Sequence, residues 1–433
     1  MITDRNPMNF KESMDWLNGF QKFGMKLGLE RIIRICSELD NPQNNYKVIH
    51  VGGTNGKGSV CKFLESILIS NGYSVGVYTS PHLQNFSERI VVNGEEISED
   101  DVVTLIKKIK PVIEKISKKD DSPTYFEIVT AMTFQCFSDK KIDFAIVEVG
   151  LGGRYDATNI VEPLVTVITN VSLEHKNVLG KKIENIAFEK AGIVKNNIPV
   201  VTGAGGKALE VIEKIAIEKN APINLVSNHD WERFNCDLDG QEFHFKGFLK
   251  DYDVRTSLIG KYQGENIGLT LAVVEILQMN GCYISDESIL DGISKTVYIG
   301  RMEIIGRDPI ILLDGAHNPK GMEKLVEALN NDFKFENLIL VIGILSDKDI
   351  KSILSMIIPL ANVIVVTKSK NTRACDPIIL KNMIKALGYD NEVIDKEDVS
   401  SAVKYAKSIA EKNDLVCVTG SLFTVGEARD FLL

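Results

Sequence analysis

The sequence predicts an α/β protein. An N-terminal P-loop domain with a mostly parallel sheet and a small antiparallel patch precedes a C-terminal Rossmann-like α/β domain. Three observations predict this. Short apolar runs alternate with stretches of helical period, the pattern of a parallel sheet covered on both faces. Residues 48–60, VIHVGGTNGKGSV, set a cluster of glycines between a strand pattern and a helix pattern. The alternation breaks near residue 225, gives way to a hairpin signal, and starts again near residue 309. A chain of 433 residues is too long for one ordinary core, so the restart reads as a second domain, with the units at 1–296 and 297–433.

In the first unit, strands are expected at 46–51 (YKVIHV), 74–79 (SVGVYT), 143–149 (DFAIVEV), 164–169 (LVTVIT) and 198–202 (IPVVT). Helices are expected between them at 58–71, 101–118, 125–138, 183–191 and 207–219. The stretch CDLDGQEFHF carries Asp239-Gly240 between alternating apolar positions, a hairpin signal. Helices at 264–280 and 286–294 follow. The second unit reads as strands at 309–313, 337–342, 362–367, 392–395 and 414–418, with helices at 319–330, 349–358, 377–387 and 399–412.

Composition excludes several classes. Hydrophobic residues at 44% and charged residues at 25% are ordinary for a globular protein. A net charge of −9 argues against a nucleic-acid binder, so any anionic ligand must meet local cations. The seven cysteines are scattered and never form C-x-x-C, which fits reduced thiols in a cytosol. Residues 1–20 hold Asp4, Lys11, Glu12 and Asp15 and no signal-peptide core. The apolar stretch 352–366 carries Pro359 and Asn362 and is too short to span a bilayer. The expectation is a cytoplasmic monomer with neither nucleic acid nor membrane as a partner.

The glycine cluster departs from the Walker spelling, in which Gly-Lys is followed at once by Ser or Thr. Here Gly58 stands between Lys57 and Ser59, and Val51 occupies the position of the first glycine. The physics still suits phosphate. Gly52, Gly53, Gly56 and Gly58 let backbone N–H groups turn inward, and the helix start completes an anion nest. Lys57 adds a point charge, and Ser59 a hydroxyl for Mg²⁺. The alternative is a glycine-rich turn with no ligand; the strand–loop–helix context favours phosphate. Glu148 ends strand 143–149, at the carboxyl edge where ligands bind in parallel sheets, and stands where a metal-holding acid is needed. A surface glutamate at a strand end is the bland alternative. His175 and Ser80 also follow strands; Ser80 can offer a hydroxyl to the same ion, while His175 is either a metal ligand or a hydrogen-bonded loop histidine.

HVGGTNGKGSV, YTSPHL, ERIVVNG, EVGLGGRYDATN, EKAGIVK, GRMEII, LLDGAHNPKG, SDKD and TGSLFTVGEAR occur in the order found in folylpolyglutamate synthases and dihydrofolate synthases of the Mur-ligase superfamily. The resemblance runs from about Gly28 to Glu427. It implies an ATP-dependent acid–amino-acid ligase that joins L-glutamate to the γ-carboxylate of a folate, tetrahydrofolate or dihydropteroate being the acceptors, through an acyl phosphate. It implies that Gly53, Thr54, Asn55, Gly56, Lys57, Gly58 and Ser59 hold the ATP phosphates. Ser80, Glu148 and His175 would hold Mg²⁺, and Lys190 would be carbamylated. Asn266, Arg301 and Asp314 would contact ATP, and His317 and Ser421 would lie on the glutamate side. Lys57, Lys190 and His317 are then the catalytic set. Two positions depart from the pattern: Tyr262 replaces the histidine of H-Q-x-x-N, and Glu174 replaces the aspartate of L-D-H. Competing readings are a Mur-type ligase acting on another carboxylate acceptor and a P-loop nucleotide binder that ligates nothing. The first predicts an extra N-terminal domain; the second leaves DGAHNP and GRMEII unexplained.

Overall fold

The computed structural model describes residues 8–24, 26–117, 122–174 and 179–433. Two short helices come first, α1 (Phe10–Asn18) and α2 (Glu30–Ser37). Neither follows from the strand–helix alternation, although Asn9 and Glu12 form a capping box that starts α1. The first sheet holds β1 (Lys47–Gly52), β2 (Val75–Tyr78), β3 (Ile90–Val92), β4 (Glu95–Glu96), β5 (Phe144–Glu148), β6 (Val165–Ile168), β7 (Val200–Thr202) and β8 (Ile223–Leu225). Their order is β4-β3-β2-β5-β1-β6-β7-β8. All pairings from β2 to β8 are parallel, and β3 and β4 add an antiparallel edge.

Helices cover both faces: α3 (Lys57–Ser70), α4 (Glu99–Ser117), α5 (Tyr125–Lys140), α6 (Ile183–Ala191), α7 (Gly206–Glu218), α8 (Gln263–Met279) and α9 (Asp286–Lys295). On β1, Ile49 and Val51 join the core of α3 and α8, while Val48 joins the core of α4 and α5. Burial on both sides is why the strand reads as one apolar run and not as an alternation. Between α7 and α8 lies an antiparallel sheet of β9 (Trp231–Asp237), β10 (Gly240–Lys246) and β11 (Asp251–Thr256). Gly240 at its hairpin has φ +143, and a Cβ there would lie 2.4 Å from the Thr256 carbonyl, so glycine is required.

The second large sheet contains β12 (Glu303–Arg307), β13 (Ile310–Leu313), β14 (Leu338–Ile342), β15 (Val363–Val366), β16 (Val393–Asp395) and β17 (Leu415–Thr419), ordered β12-β13-β17-β14-β15-β16. Only β12 is antiparallel. Its helices are α10 (Pro319–Asn331), α11 (Ile350–Ile357), α12 (Pro377–Ala386), α13 (Val399–Ile409) and α14 (Leu422–Leu432). Neither β12 nor α14 follows from the sequence pattern. Among the described residues no helix is long and apolar enough to cross a membrane. The carboxyl ends of β1, β2, β5 and β6 face one cavity together with the carboxyl end of β13.

Candidate active site

The glycine loop leaves β1 and turns into α3 by backbone conformations that side chains resist. Gly53 has φ +133 and Gly56 φ +85. A Cβ on Gly53 would stand 1.9 Å from Thr169 Oγ1, and one on Gly56 would stand 2.3 Å from Asn266 Oδ1. Asn266, at the start of α8, therefore braces the loop at its tightest point, held in turn by a 2.8 Å bond to Gln263.

The loop's amides divide into two groups. Thr54 N–H donates to the Asn170 carbonyl at 2.8 Å, and Asn55 N–H to Asn170 Oδ1 at 3.0 Å. The Thr54 hydroxyl accepts from Ser172 N–H at 3.0 Å. These groups are committed to the segment after β6. The amides of Gly56, Lys57, Gly58 and Ser59 have no protein acceptor among the described residues. Four free amides at a helix N-terminus are what an anion requires. Lys57 Nζ donates to the carbonyls of Gly53 at 3.2 Å and Thr54 at 3.1 Å and lies 3.9 Å from Glu148 Oε1.

Glu148 is 6% exposed at the end of β5 and accepts from Ser80 N–H at 3.1 Å. Burial raises its pKa; Lys57 opposes that rise. The hydroxyls of Ser59 and Ser80 have no hydrogen-bond partner among the described residues and line the same cavity. One carboxylate and two hydroxyls are hard oxygen donors that fit a magnesium ion completing its shell with water and phosphate. No group of three His, Cys, Asp or Glu gathers among the described residues, so the protein would supply only part of such a shell. His175 lies outside the described residues.

Lys190, near the end of α6, is 2% exposed. Its Nζ donates to the Gly53 carbonyl at 2.7 Å and to Glu174 at 3.1 Å. Burial, with a smaller contribution from Lys57, lowers its pKa to about 8 against the pull of Glu174. A lysine on a helix pattern reads as solvated; in the fold it is a buried base beneath the phosphate loop.

The second sheet supplies the opposite wall. Asp314 follows β13, buried, and accepts from Met302 N–H at 3.0 Å and Ala316 N–H at 2.9 Å. His317 Nδ1 meets the Gly315 carbonyl at 2.8 Å, so Nδ1 carries the proton and Nε2 is the acceptor. Burial and nearby Lys348 lower the His317 pKa to about 4, so the ring is neutral near pH 7. Arg301 also lines this wall. Ser421 does not reach the cavity lining. It is 1% exposed and caps α14, its Oγ accepting from Thr424 N–H at 3.0 Å and meeting Thr424 Oγ1 at 2.8 Å. The neighbouring Leu422 lines the cavity in its place.

The cavity holds about 590 Å³ and gathers Lys57, Ser59, Ser80, Glu148, Lys190, Asn266, Arg301, Asp314 and His317. Sequence reasoning missed three of its supports. Asn170 follows β6 at the same edge as Glu148, a signal that was available. Tyr298 precedes Gly300-Arg301 with no signal of its own. Asn318, inside DGAHNP, exchanges amide hydrogen bonds with Asn55 at 3.0 and 3.4 Å across 263 residues and caps α10 through Gly321 N–H at 2.7 Å. Asn318→Ala should lower unfolding free energy by about 1–2 kcal/mol, as a lost N-cap does, and should do so in a thermal melt. Asn318→Asp, which keeps the capping oxygen, should recover most of that loss; equal melting for wild type and Asn318→Ala would contradict the cap.

Residues 51–274 match the family model "Mur ligase middle domain", and residues 300–422 match "Mur ligase, glutamate ligase domain". Fold, phosphate loop and paired domains thus define an ATP-dependent ligase of the Mur class. A dihydrofolate synthase/folylpolyglutamate synthase of Bacillus subtilis is 39% identical over 431 residues, covering 97% of this chain and 98% of that one. A folylpolyglutamate synthase structure from Thermotoga maritima superposes with a TM-score of 0.85 at 38% identity, covering 98% of this chain and 96% of the other. The Mycobacterium tuberculosis folylpolyglutamate synthase complexed with ADP superposes at 0.91 with 31% identity, covering 98% and 99%. The chain belongs to the folylpolyglutamate synthase/dihydrofolate synthase family.

Proposed function

We propose that this chain couples ATP cleavage to amide formation between L-glutamate and the γ-carboxylate of a reduced folate. The observation that carries the reading is the single cavity with Lys57 and four free amides on one wall and Arg301, Asp314 and His317 on the other. Nucleotide phosphates would lie on the amides of Gly56 to Ser59 and against Lys57, with Arg301 reaching them from the second domain. In this reading the units 1–296 and 297–433 act as two domains closing on shared substrates. Glu148, Ser59 and Ser80 would hold magnesium, together with His175. When bound, magnesium supplies charge neutralisation for the transferring phosphoryl group. Phosphoryl transfer asks for little besides position and charge, and Lys57 and Arg301 supply both. The acceptor carboxylate takes the γ-phosphoryl group as an acyl phosphate. The glutamate amine then attacks, and phosphate leaves.

His317 suits the amine side of this reaction. Its Nε2 lone pair accepts a hydrogen bond, and a pKa of about 4 makes it a poor store for a proton. It therefore orients the neutral amine and does not keep its proton. Lys190, carbamylated, would present an anion to the metal. Ser421 would act on the glutamate side through its cap on α14, which sets Leu422 at the cavity wall. We infer a cytoplasmic location, which the free cysteines support, and a monomer.

The test is phosphate release from ATP with each component withheld in turn. Release should require both L-glutamate and tetrahydrofolate, and the product should be the γ-glutamyl amide. Release unaffected by withholding glutamate refutes ligation; release with a different carboxylate acceptor moves the reading to another Mur-type reaction. The two-part name of the Bacillus relative favours dihydropteroate as a second acceptor, tested separately in the same assay.

A further inference from the structure

We propose that Tyr298 is a positioning residue for the reaction: its ring fixes Arg301 over the phosphate loop and is the reason that loop carries Gly58 before Ser59. The inference rests on the assignment of Arg301 to the nucleotide phosphates.

Tyr298 lies between α9 and β12, where the chain passes from one large sheet to the other. Its ring packs on the core that contains Val60, Phe63 and Ile293. Its phenol tip rests on the second residue of α3. A Cβ on Gly58 would stand 2.0 Å from Tyr298 Oη and 2.8 Å from Cζ. Those atoms end a packed ring, so any side chain at 58 must push the ring away. The unusual spelling of the loop thus has a steric cause. Where a Walker sequence places a hydroxyl residue directly after the lysine, this loop leaves room for an aromatic neighbour.

Arg301 stands against the same ring, its guanidinium carbon 5.5 Å from the centroid, within the range of a cation–π contact. Among the described residues its one hydrogen bond is a 3.3 Å contact from Nη1 to the Gly300 carbonyl. Asp314, Tyr262 and Glu148 also act on the guanidinium electrostatically, and a Cβ on Gly315 would stand 2.1 Å from Nη1; the stacked ring adds the contact that covers its face. The backbone around it is anchored on both sides. Ile299 packs into the second domain's core with Val418 and Val425, and Gly300, at φ +67, is positioned so that a Cβ would lie 3.2 Å from Leu83 and Val425. Within four residues the chain is fixed to the phosphate loop by Tyr298, fixed to the second sheet by Ile299, and delivers a cation into the cavity between them. The Tyr298 ring therefore helps to set where Arg301 stands over the phosphate loop. The Tyr298 hydroxyl has no hydrogen-bond partner among the described residues, and the contact with Arg301 is made by the ring.

The test is steady-state phosphate release with ATP, L-glutamate and tetrahydrofolate for Tyr298→Phe, Tyr298→Ala, Gly58→Ala, Arg301→Ala and the double variants. Tyr298→Phe should stay within about threefold of wild type. Tyr298→Ala should lower kcat by roughly tenfold, the upper part of the range for a cation–π contact, with KM for ATP changed less than about threefold. In the Arg301→Ala background Tyr298→Ala should add less than about threefold. Gly58→Ala should mimic Tyr298→Ala and add little to it. A full-sized effect of Tyr298→Ala in the Arg301→Ala background means that the ring serves stability alone and overturns the proposal, whatever the melting temperature. An Arg301→Ala enzyme with wild-type kcat overturns the assignment of Arg301 itself, and the inference with it. A large loss for Arg301→Ala beside wild-type Tyr298→Ala overturns the inference and leaves the assignment standing.

Discussion

Lys57→Ala should lower ligation by about a hundredfold to a thousandfold, the cost of removing one preorganised donor from a developing charge, while the melting temperature stays near that of wild type. The two halves of this expectation come from the same physics. A helix N-terminus carries a partial positive charge, and a cation there is unfavourable by roughly 0.3–1 kcal/mol. Lys57 is the first residue of α3. Among the described residues its Nζ finds the Gly53 and Thr54 carbonyls at 3.2 and 3.1 Å and a distant Glu148 at 3.9 Å. Replacing it with alanine loses these contacts and relieves the clash with the helix dipole, so folding changes little. What is lost is the cation beside four free amides. Phosphate-release kinetics and a thermal melt on one preparation separate the two. Turnover like that of wild type would remove the loop from the chemistry. A large drop in melting temperature would mean that Lys57 serves the fold, and that the resting bonds to the loop carbonyls are its purpose.

What the sequence made legible follows from how local each signal is. The inner strands of both large sheets are readable because residues such as Val48, Ile49 and Val51 are buried and leave an unbroken apolar run, whereas the short edge strands β3, β4 and β8 leave none. Glu148 and Asp314 are readable because a strand end in a parallel sheet is a place as well as a residue. Both are buried at the cavity. The burial of Lys190 is not readable from periodicity, since its partner Gly53 is 137 positions away and its cover is a loop from another strand. The pairing of Asn55 with Asn318 and the contact of Gly58 with Tyr298 fail for the same reason: each half is unremarkable alone. Ser421 shows the opposite case. Its motif is recognisable from a family, but the local chemistry of a serine before an apolar run is an N-cap, and that is the bond its hydroxyl makes. The helix it starts, α14, escapes a pattern search because it buries Thr424, Val425, Gly426 and Ala428 instead of a large apolar stripe. β12 escapes because its residues are only partly buried and pair antiparallel across a shift in register.

Lys190→Ala should likewise cost about a hundredfold or more in turnover, the scale of losing a preorganised charge from the site, and the behaviour of the wild type with pH and bicarbonate should show why. Burial brings the lysine pKa to about 8. At pH 7 roughly a tenth of such side chains are uncharged, against well under a thousandth for a lysine at its ordinary value. The uncharged amine is the form that attacks carbon dioxide, forming an N–C bond and releasing one proton. The product replaces a cation with an anion. Glu174 lies 3.1 Å from Nζ, so a carbamate would set two anions side by side, which low-dielectric surroundings tolerate only with a cation between them. A carbamate here would therefore call for a divalent ion beside Glu148, while Glu148, Ser59 and Ser80 could hold that ion without the carbamate. The sign follows. In buffer with limiting carbon dioxide, activity should rise as pH climbs toward and past 8, because the amine loses its proton; added bicarbonate should shift that rise to lower pH. Were the ammonium the working form, activity would fall over the same interval and bicarbonate would change nothing. Isotope-labelled bicarbonate should give a carbamate signal in wild type that vanishes in Lys190→Ala, and acetate should restore part of the lost turnover by supplying the missing carboxylate. Lys190→Met, which keeps the apolar stem and removes the buried charge, should melt no lower than wild type yet turn over as poorly as Lys190→Ala. A Lys190→Met enzyme with wild-type turnover would show that the lysine only fills space beneath the loop, and the phosphate site would then work through Lys57 and Glu148 without it.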